Sequence, residues 1–352
     1  NRLEAKNLIK RTLYSLLRTR TGTELPWGTL TGIRPTKIAL TKLQEGRDAR
    51  WIRDYMRETY CTSDEKISLA LDVAKRELAL LETVNYEKGY SLYIGIPFCP
   101  TTCLYCSFTS YPIGAWEKKM DQYLAALFKE LDYVAETMKG RTLDTVYFGG
   151  GTPTALKAEE LDAILTRIGE RFDLSSVKEF TVEAGRPDSI TEDKLKTPRA
   201  HGTSRISINP QTMKQETLDL IGRRHTVEDT VRAFELAIRV GIDCINTDLI
   251  AGLPGENAAD FRDSLERIWS LGADNITLHT LAVKRGSGLK ELDQEYNYKN
   301  EELCTEMLDD ARLFLTGKGY RPYYLYRQKH TSGNTENLGF CRAASVSIYN
   351  VR

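Results

Sequence analysis

Between Ser91 and Val283, six short apolar segments (SLYIGI, TVYFGG, EFTVEA, RISIN, DCINTDLI and NITLHTLAV) alternate with amphipathic stretches such as WEKKMDQYLAALFKELDYVAETM, AEELDAILTRIGERF and TVEDTVRAFELAIRVG. Short runs rich in β-branched and aromatic residues read as buried strands, and apolar residues recurring every three or four positions read as helices. Strand and helix units in series bury their apolar faces as a parallel sheet with right-handed crossovers. The expected fold class is therefore α/β, a partial (β/α)6 TIM-like barrel, closed or partly closed. Chemistry in such barrels gathers at the C-terminal ends of the strands. The loops that follow the six segments are the places to search.

The rest of the chain divides around that core. From Leu3 to about Asn85 the sequence reads as helical, with LIKRTLYSLL, TKIALTKLQEG and DEKISLALDVAKRELALLETV interrupted by the turn-like ELPWGTLTGIRPTK and YCTS. We expect an α-rich N-terminal region at 1–88, the barrel core at 89–315, and at 316–352 the start of a C-terminal substrate-covering region that is cut short. No solenoid-period repeat and no low-complexity tract is found. Lys plus Arg and Asp plus Glu number 49 each, so charge gives no reason to propose nucleic acid or an anionic membrane as partner. No apolar run approaches the roughly 20 residues of a membrane span. The start, NRLEAKNLIKRTLYSLL, lacks the apolar core of a signal peptide, so the expected location is cytoplasmic. Beginning at Asn1 and stopping at Arg352, the chain reads as a fragment at both ends.

The first strand runs into PFCPTTCLYCSF, where Cys99, Cys103 and Cys106 have the spacing C-x-x-x-C-x-x-C. A [4Fe-4S] cluster needs one ligand per iron, so three thiolates leave one iron open, much as a catalytic zinc keeps a position for water or substrate. That iron can chelate the amino and carboxylate groups of S-adenosylmethionine, and one electron from the cluster then splits the cofactor into methionine and a carbon radical. A zinc site would want a fourth ligand, and no His or further Cys lies within ten residues of the triad. A redox pair at Cys103 and Cys106 leaves Cys99 unexplained. Cys61, Cys244, Cys304 and Cys341 are scattered and read as buried or incidental thiols.

Further candidates follow the later strands. Gly149, Gly150 and Gly151 let backbone groups approach a ligand, or else make a tight turn. Glu183 is a carboxylate on an otherwise apolar strand, suited to a ribose or ammonium group, or simply solvated. Gln211, Arg223 and Asp248, the last with Gly252 and Gly255, stand near successive strand ends, although an arginine can pair with any acid and an aspartate can cap a helix. His201, His225, His279 and His330 form no local ligand pattern and read as structural for the most part.

The triad together with GGGTPT and DLIAGLPG resembles the radical SAM enzymes of the oxygen-independent coproporphyrinogen III oxidase group. WGTLTGIRPTKI and TVEAGRPD are similar to its HemZ-type branch, the coproporphyrinogen dehydrogenases. The resemblance spans roughly Ser91 to Tyr320, with branch-specific phrases back to about Leu25 and forward through GNTENLGF. It implies that Tyr93, Gly150 and Glu183 meet a first S-adenosylmethionine and that Tyr105 is an aromatic cofactor contact. It also implies that Gly151, Thr152, Gln211, Arg223, Asp248 and Ala282 meet a second molecule of that cofactor. The implied reaction is oxidative decarboxylation of two propionates of coproporphyrinogen III to vinyl groups, giving protoporphyrinogen IX for haem synthesis. An electron donor such as flavodoxin or ferredoxin is implied as partner. The chain departs from the pattern at Phe108, where the founding enzyme has a fourth cysteine. That departure is shared with the HemW-type haem chaperones, which carry the cluster without dehydrogenase activity. Arg34 and Lys37 in TGIRPTK read either as contacts to substrate propionates or as a surface turn. CRAASVSIYNVR at the end fits the family loosely.

Overall fold

The computed structural model describes every residue except Asn1, Thr109, 294–295, 297–299, 329–330 and 332–334. His330 lies outside the described residues. Four helices come first: α1 (Arg2–Thr21), α2 (Thr36–Gln44), α3 (Ala49–Tyr60) and α4 (Asp64–Leu81). Local chemistry sets their ends. Asp48 accepts from Trp51 N ahead of α3, Cys61 closes that helix in the left-handed region at φ 56°, and Ser63 accepts from Lys66 N to start α4.

The six segments read as strands are β1 (Tyr90–Ile96), β4 (Leu143–Gly150), β5 (Glu179–Gly185), β6 (Arg205–Ile208), β7 (Cys244–Ala251) and β8 (Asn275–Thr280). Two-residue β2 (Phe98–Cys99) and β3 (Tyr111–Pro112) pair with each other inside the cysteine loop. The main sheet runs β1-β4-β5-β6-β7-β8, all parallel, and continues antiparallel through β10 (Asn337–Cys341) and β9 (Arg321–Tyr326). β1 and β9 are its edges, so the barrel is open. The α/β class and the partial barrel are as expected. The sheet itself extends past the sixth strand, because residues 316–352 supply two more of its strands.

Alternation along the strands gives the sheet two chemically different faces. Val146, Phe148, Phe180, Val182, Ile206 and Ile208 are buried apolar residues of the core. The intervening positions, among them Thr145, Tyr147, Glu179, Glu183, Arg205, Asn246, Asp248 and His279, turn to the concave side. Crossover helices cover the apolar face, including α5 (Met120–Thr137), α6 (Ala158–Arg171), α7 (Glu192–Ala200), α8 (Gln215–Leu220), α9 (Val227–Val240) and α10 (Ala258–Ser270). A reciprocal Thr226–Asp229 cap starts α9, and left-handed Gly241 ends it. Among the described residues, no helix is long and apolar enough to cross a membrane.

The N-terminal helices are joined to the β9 end of the sheet by buried polar contacts. Trp27 Nε1 and Lys66 Nζ both donate to Glu336, at 2.8 and 2.6 Å. Arg34 donates to Glu77 at 3.4 Å and to the Val351 carbonyl at 3.3 Å, and its guanidinium lies over the Tyr324 ring. Arg34 is thus a joint between the helical region and the C-terminal segment, neither a surface turn residue nor a cleft residue, while Lys37 is exposed.

The last segment, from Arg342 to Arg352, crosses the concave face. Buried Glu179 accepts from Ser347 Oγ, Ile348 N and Tyr349 N at 3.0, 2.8 and 3.3 Å. Arg205, ion-paired to Glu179 at 3.3 Å, donates to the carbonyls of Ser345 and Val346. Glu179 and Arg205 stand at the starts of β5 and β6, so this strap fills the concave side below the strand ends. It delivers Tyr349 upward toward them.

Candidate active site

A cleft of about 730 Å³ opens where β1 and β4–β8 end. Its first wall is the cysteine loop. Pairing of β2 with β3 closes that loop at its base, Cys106 N donates to Cys103 O at 3.0 Å to turn it, and Leu104 N donates to Ile221 O at 2.9 Å to tie it to the end of α8. Cys99, Cys103 and Cys106 all line the cleft as free thiols. Burial pushes the Cys99 and Cys106 thiols up, against a Thr152 Oγ1–Cys99 Sγ contact of 3.5 Å that eases Cys99 down. Thiolates here call for a positive group among them.

Glycine is required beside this loop. Gly150 has φ 109°, and a Cβ there would meet the Ile96 backbone at 2.7 Å. A Cβ on Gly151 would lie 2.6 Å from Phe98 O and 2.9 Å from Cys99 Sγ. The end of β4 therefore lies directly against the loop that carries the first cysteine. On the neighbouring strand Glu183 accepts from Tyr147 OH at 2.5 Å. Burial raises the Glu183 carboxyl to about 7, with the charge of Asp248 adding to the rise and the Tyr147 hydrogen bond opposing it. Tyr349 stacks on Tyr147 with ring centroids 4.2 Å apart, and Tyr93 flanks both at about 6 Å.

The opposite wall is built from the ends of β6, β7 and β8. Gln211 is held at φ 73°, rare for a non-glycine residue. Its Oε1, Asn209 Oδ1 and Arg223 Nε are buried without a hydrogen-bond partner, although all three residues line the cleft. Arg223 donates to the Asn209 carbonyl at 2.5 Å and to Tyr105 OH at 3.3 Å. His279 lies between Tyr326 OH, 3.1 Å from Nδ1, and Asp248, 3.5 Å from Nε2.

The sequence-derived residues Tyr93, Tyr105, Gly150, Gly151, Thr152, Glu183, Gln211, Arg223 and Asp248 all line this one cleft with the three cysteines. The exception is Ala282. It lies beyond the end of β8, bridged to Thr331, and does not line the cleft. Pairing with β7 continues one residue past Thr280, where Leu281 N donates to Ala251 O at 3.0 Å. Tyr147, Arg186, His279, Tyr326 and Tyr349 line the cleft without having been singled out for it. The period of two that marks Glu183 also points Tyr147 and His279 inward from their strands, and that signal was available. Nothing local announces Tyr349.

Among the other cysteines, Cys244, Cys304 and Cys341 are buried and Cys61 caps α3. His225 is buried and held neutral, its pKa pushed down to about 3 by burial and by Arg223. His201 pairs with Asp162.

The cleft's donors fit an iron–sulfur cluster with a chelated organic ligand better than a lone ion. No three His, Cys, Asp or Glu groups among the described residues converge on the spacing of one metal ion. Cluster ligands each hold a different iron and stand farther apart. Three thiols on one wall and unpaired buried amide oxygens on the other match a polar ligand between them.

A model of the radical SAM superfamily matches residues 93–268. The chain is 42% identical, over 99% of its length and 70% of the relative's, to the oxygen-independent coproporphyrinogen-III oxidase-like protein HemZ of Bacillus subtilis. It is 36% identical over 55% of its length to the heme chaperone HemW of the same organism, of which it covers 51%. Among solved structures, coproporphyrinogen III oxidase (HemN) from Escherichia coli aligns with a TM-score of 0.63 and 26% identity, over 76% of this chain and 59% of that one.

Proposed function

Because the chain belongs to the radical SAM superfamily, in its HemZ- and HemN-like haem-pathway branch, we propose that it oxidatively decarboxylates coproporphyrinogen III to protoporphyrinogen IX without oxygen. The family uses a [4Fe-4S] cluster and S-adenosylmethionine. When bound, they supply a carbon radical that abstracts a hydrogen atom from substrate. Each of the two reacting propionates then loses one hydrogen atom to that radical, one CO2 and one electron to an acceptor, leaving a vinyl group.

In this reading Cys99, Cys103 and Cys106 hold the cluster. Tyr93, Gly150 and Glu183 hold the first cofactor molecule, with Tyr105 as the aromatic contact between cysteine loop and far wall. Gly151, Thr152, Gln211, Arg223 and Asp248 hold a second, whose polar groups would satisfy the unpaired Gln211 and Asn209 oxygens. Ala282, just past β8, is the one residue of that set outside the cleft lining. Glu183, in a buried setting that favours its protonated form, meets a cationic ligand by releasing that proton. Tyr147, Tyr349 and Tyr93 form a stacked aromatic wall on that side of the cleft. The observation that carries the proposal is the convergence of three thiols, the Tyr147–Glu183 pair and the unpaired amide wall in one cleft. Electrons would come from a flavodoxin- or ferredoxin-like donor.

A second reading, haem binding without dehydrogenation as the name of the HemW relatives implies, is favoured by Phe108. It stands 74% exposed on the cleft lip, where a fourth cysteine would mark the decarboxylase. An anaerobic assay separates the two. Reconstituted protein with coproporphyrinogen III, S-adenosylmethionine and reductant should yield protoporphyrin fluorescence after oxidation. Stoichiometric haem binding with no such product would rule out the dehydrogenase.

A further inference from the structure

The phrase GRPD, at the end of β5, folds into a compact turn underneath the cysteine loop. Gly185 takes φ 62°, and Ser189 Oγ donates to the Arg186 carbonyl at 2.7 Å to close the turn. Arg186 is 3% exposed yet borders the cleft. Its Nε and Nη2 donate to the two carboxylate oxygens of Asp188 at 3.0 and 2.7 Å. Its Nη1 donates to Thr101 twice, to the carbonyl at 3.0 Å and to Oγ1 at 2.6 Å. All three guanidinium nitrogens are thereby engaged, and the planar fork has one orientation.

Thr101 stands midway between Cys99 and Cys103, and its own hydroxyl reaches the Gly222 carbonyl at 3.2 Å. From the next residue, Arg223 contacts Tyr105 beside Cys106. Each half of the cysteine loop therefore rests on one buried guanidinium. The two are not equivalent. Arg186 is bidentate to a carboxylate on the side away from the loop, so the ion pair presents its positive end to the sulfurs. Buried His225, held neutral, lies 4.0 Å from Asp188.

We propose that the Gly185–Asp188 turn is a clamp on the cluster loop, with Arg186 as a positioning residue that sets the Cys99–Cys103 span and favours the cluster's reduced state. The proposal rests on the assignment of the three cysteines as cluster ligands. Mechanically, two hydrogen bonds from Arg186 hold the loop at Thr101 while two to Asp188 fix the guanidinium, adding to the loop's ties at Gly222 and Leu104. Electrically, a cation facing the sulfurs stabilises the added electron, and a neutral residue there would not.

The test uses reconstituted holo-protein, comparing wild type with R186Q, R186K and D188N by iron content, rate of cluster loss to a chelator, and redox titration followed by electron paramagnetic resonance. R186Q should show about a tenfold lower ratio of reduced to oxidised cluster at a fixed potential, a midpoint about 59 mV more negative for one electron. R186K keeps the charge, loses the fork, and should hold its ratio within about threefold of wild type while losing cluster about tenfold faster, as R186Q also does. D188N should move the midpoint the opposite way from R186Q. Thermal unfolding of each variant separates a general loss of stability from these effects, since a purely structural role would lower the unfolding temperature without moving the midpoint in opposite directions. An unchanged midpoint and chelation rate in R186Q, or midpoints of R186Q and D188N moving together, overturns the clamp alone. Failure of the wild type itself to hold iron overturns the cluster assignment and the clamp with it.

Discussion

Glu183 illustrates how one side chain can cost stability where it serves binding. Burial raises its carboxyl to about 7, so the folded chain holds that proton more tightly than the unfolded chain does. A raised carboxyl contributes stability below the ordinary carboxylate range, and that contribution is lost as pH climbs through about 7. Glu183→Gln should therefore gain on wild type in the ligand-free protein as pH rises from 5 to 8, by about 1–3 °C in unfolding temperature, while weakening S-adenosylmethionine binding by about tenfold or more. Differential scanning calorimetry at the two pH values checks the first half and equilibrium dialysis the second. An unfolding-temperature difference that is the same at both pH values would contradict it. Glu183 was legible in sequence as a carboxylate on an apolar strand. Its partner Tyr147 obeys the same alternation but looks like any other strand aromatic until the β4–β5 register, Tyr147 beside Thr181, brings it near.

Elements fix where such residues stand, and two of them make separate predictions. Gly151 lies so close to Phe98 O and Cys99 Sγ that Gly151→Ala must push the cysteine loop away. The expected cost is about 1–3 kcal/mol in urea unfolding, with reconstituted iron falling below half of wild type; full iron loading would show that the loop tolerates the shift. The strap from Arg342 to Arg352 depends on Glu179, which gathers two backbone amides, a hydroxyl and Arg205. Glu179→Ala leaves Arg205 buried without its carboxylate and should cost about 3–5 kcal/mol. Limited proteolysis should then cut within the strap. A loss under about 1 kcal/mol with an uncut strap would mean that other contacts hold it. The six parallel strands were readable because apolar runs and helical periodicity alternate cleanly. The strap was not. CRAASVSIYNVR has no strong periodicity, and it is held by a carboxylate 168 residues earlier in the chain.

At the scale of the molecule, the helical N-terminal region, the open sheet and the strap form one structure, tied by Trp27, Lys66, Arg34 and their partners far along the chain. The open barrel explains why the site is a cleft, with apolar positions facing the helices and polar ones facing the strap and the strand ends. Much of the chemistry was visible in the sequence because three cysteines in eight residues have few other uses. What they act upon was not visible, because the cleft is completed by residues such as Tyr326, His279 and Tyr349 that meet only in the fold. In the function proposed, the cleft is organised around a cluster held by Cys99, Cys103 and Cys106. Anaerobic reconstitution with iron and sulfide, followed by iron analysis of wild type and Cys103→Ala, decides whether it is. The wild type should carry about four irons per chain and the variant fewer than about one, with its brown colour lost; a variant that retains all four would contradict the claim.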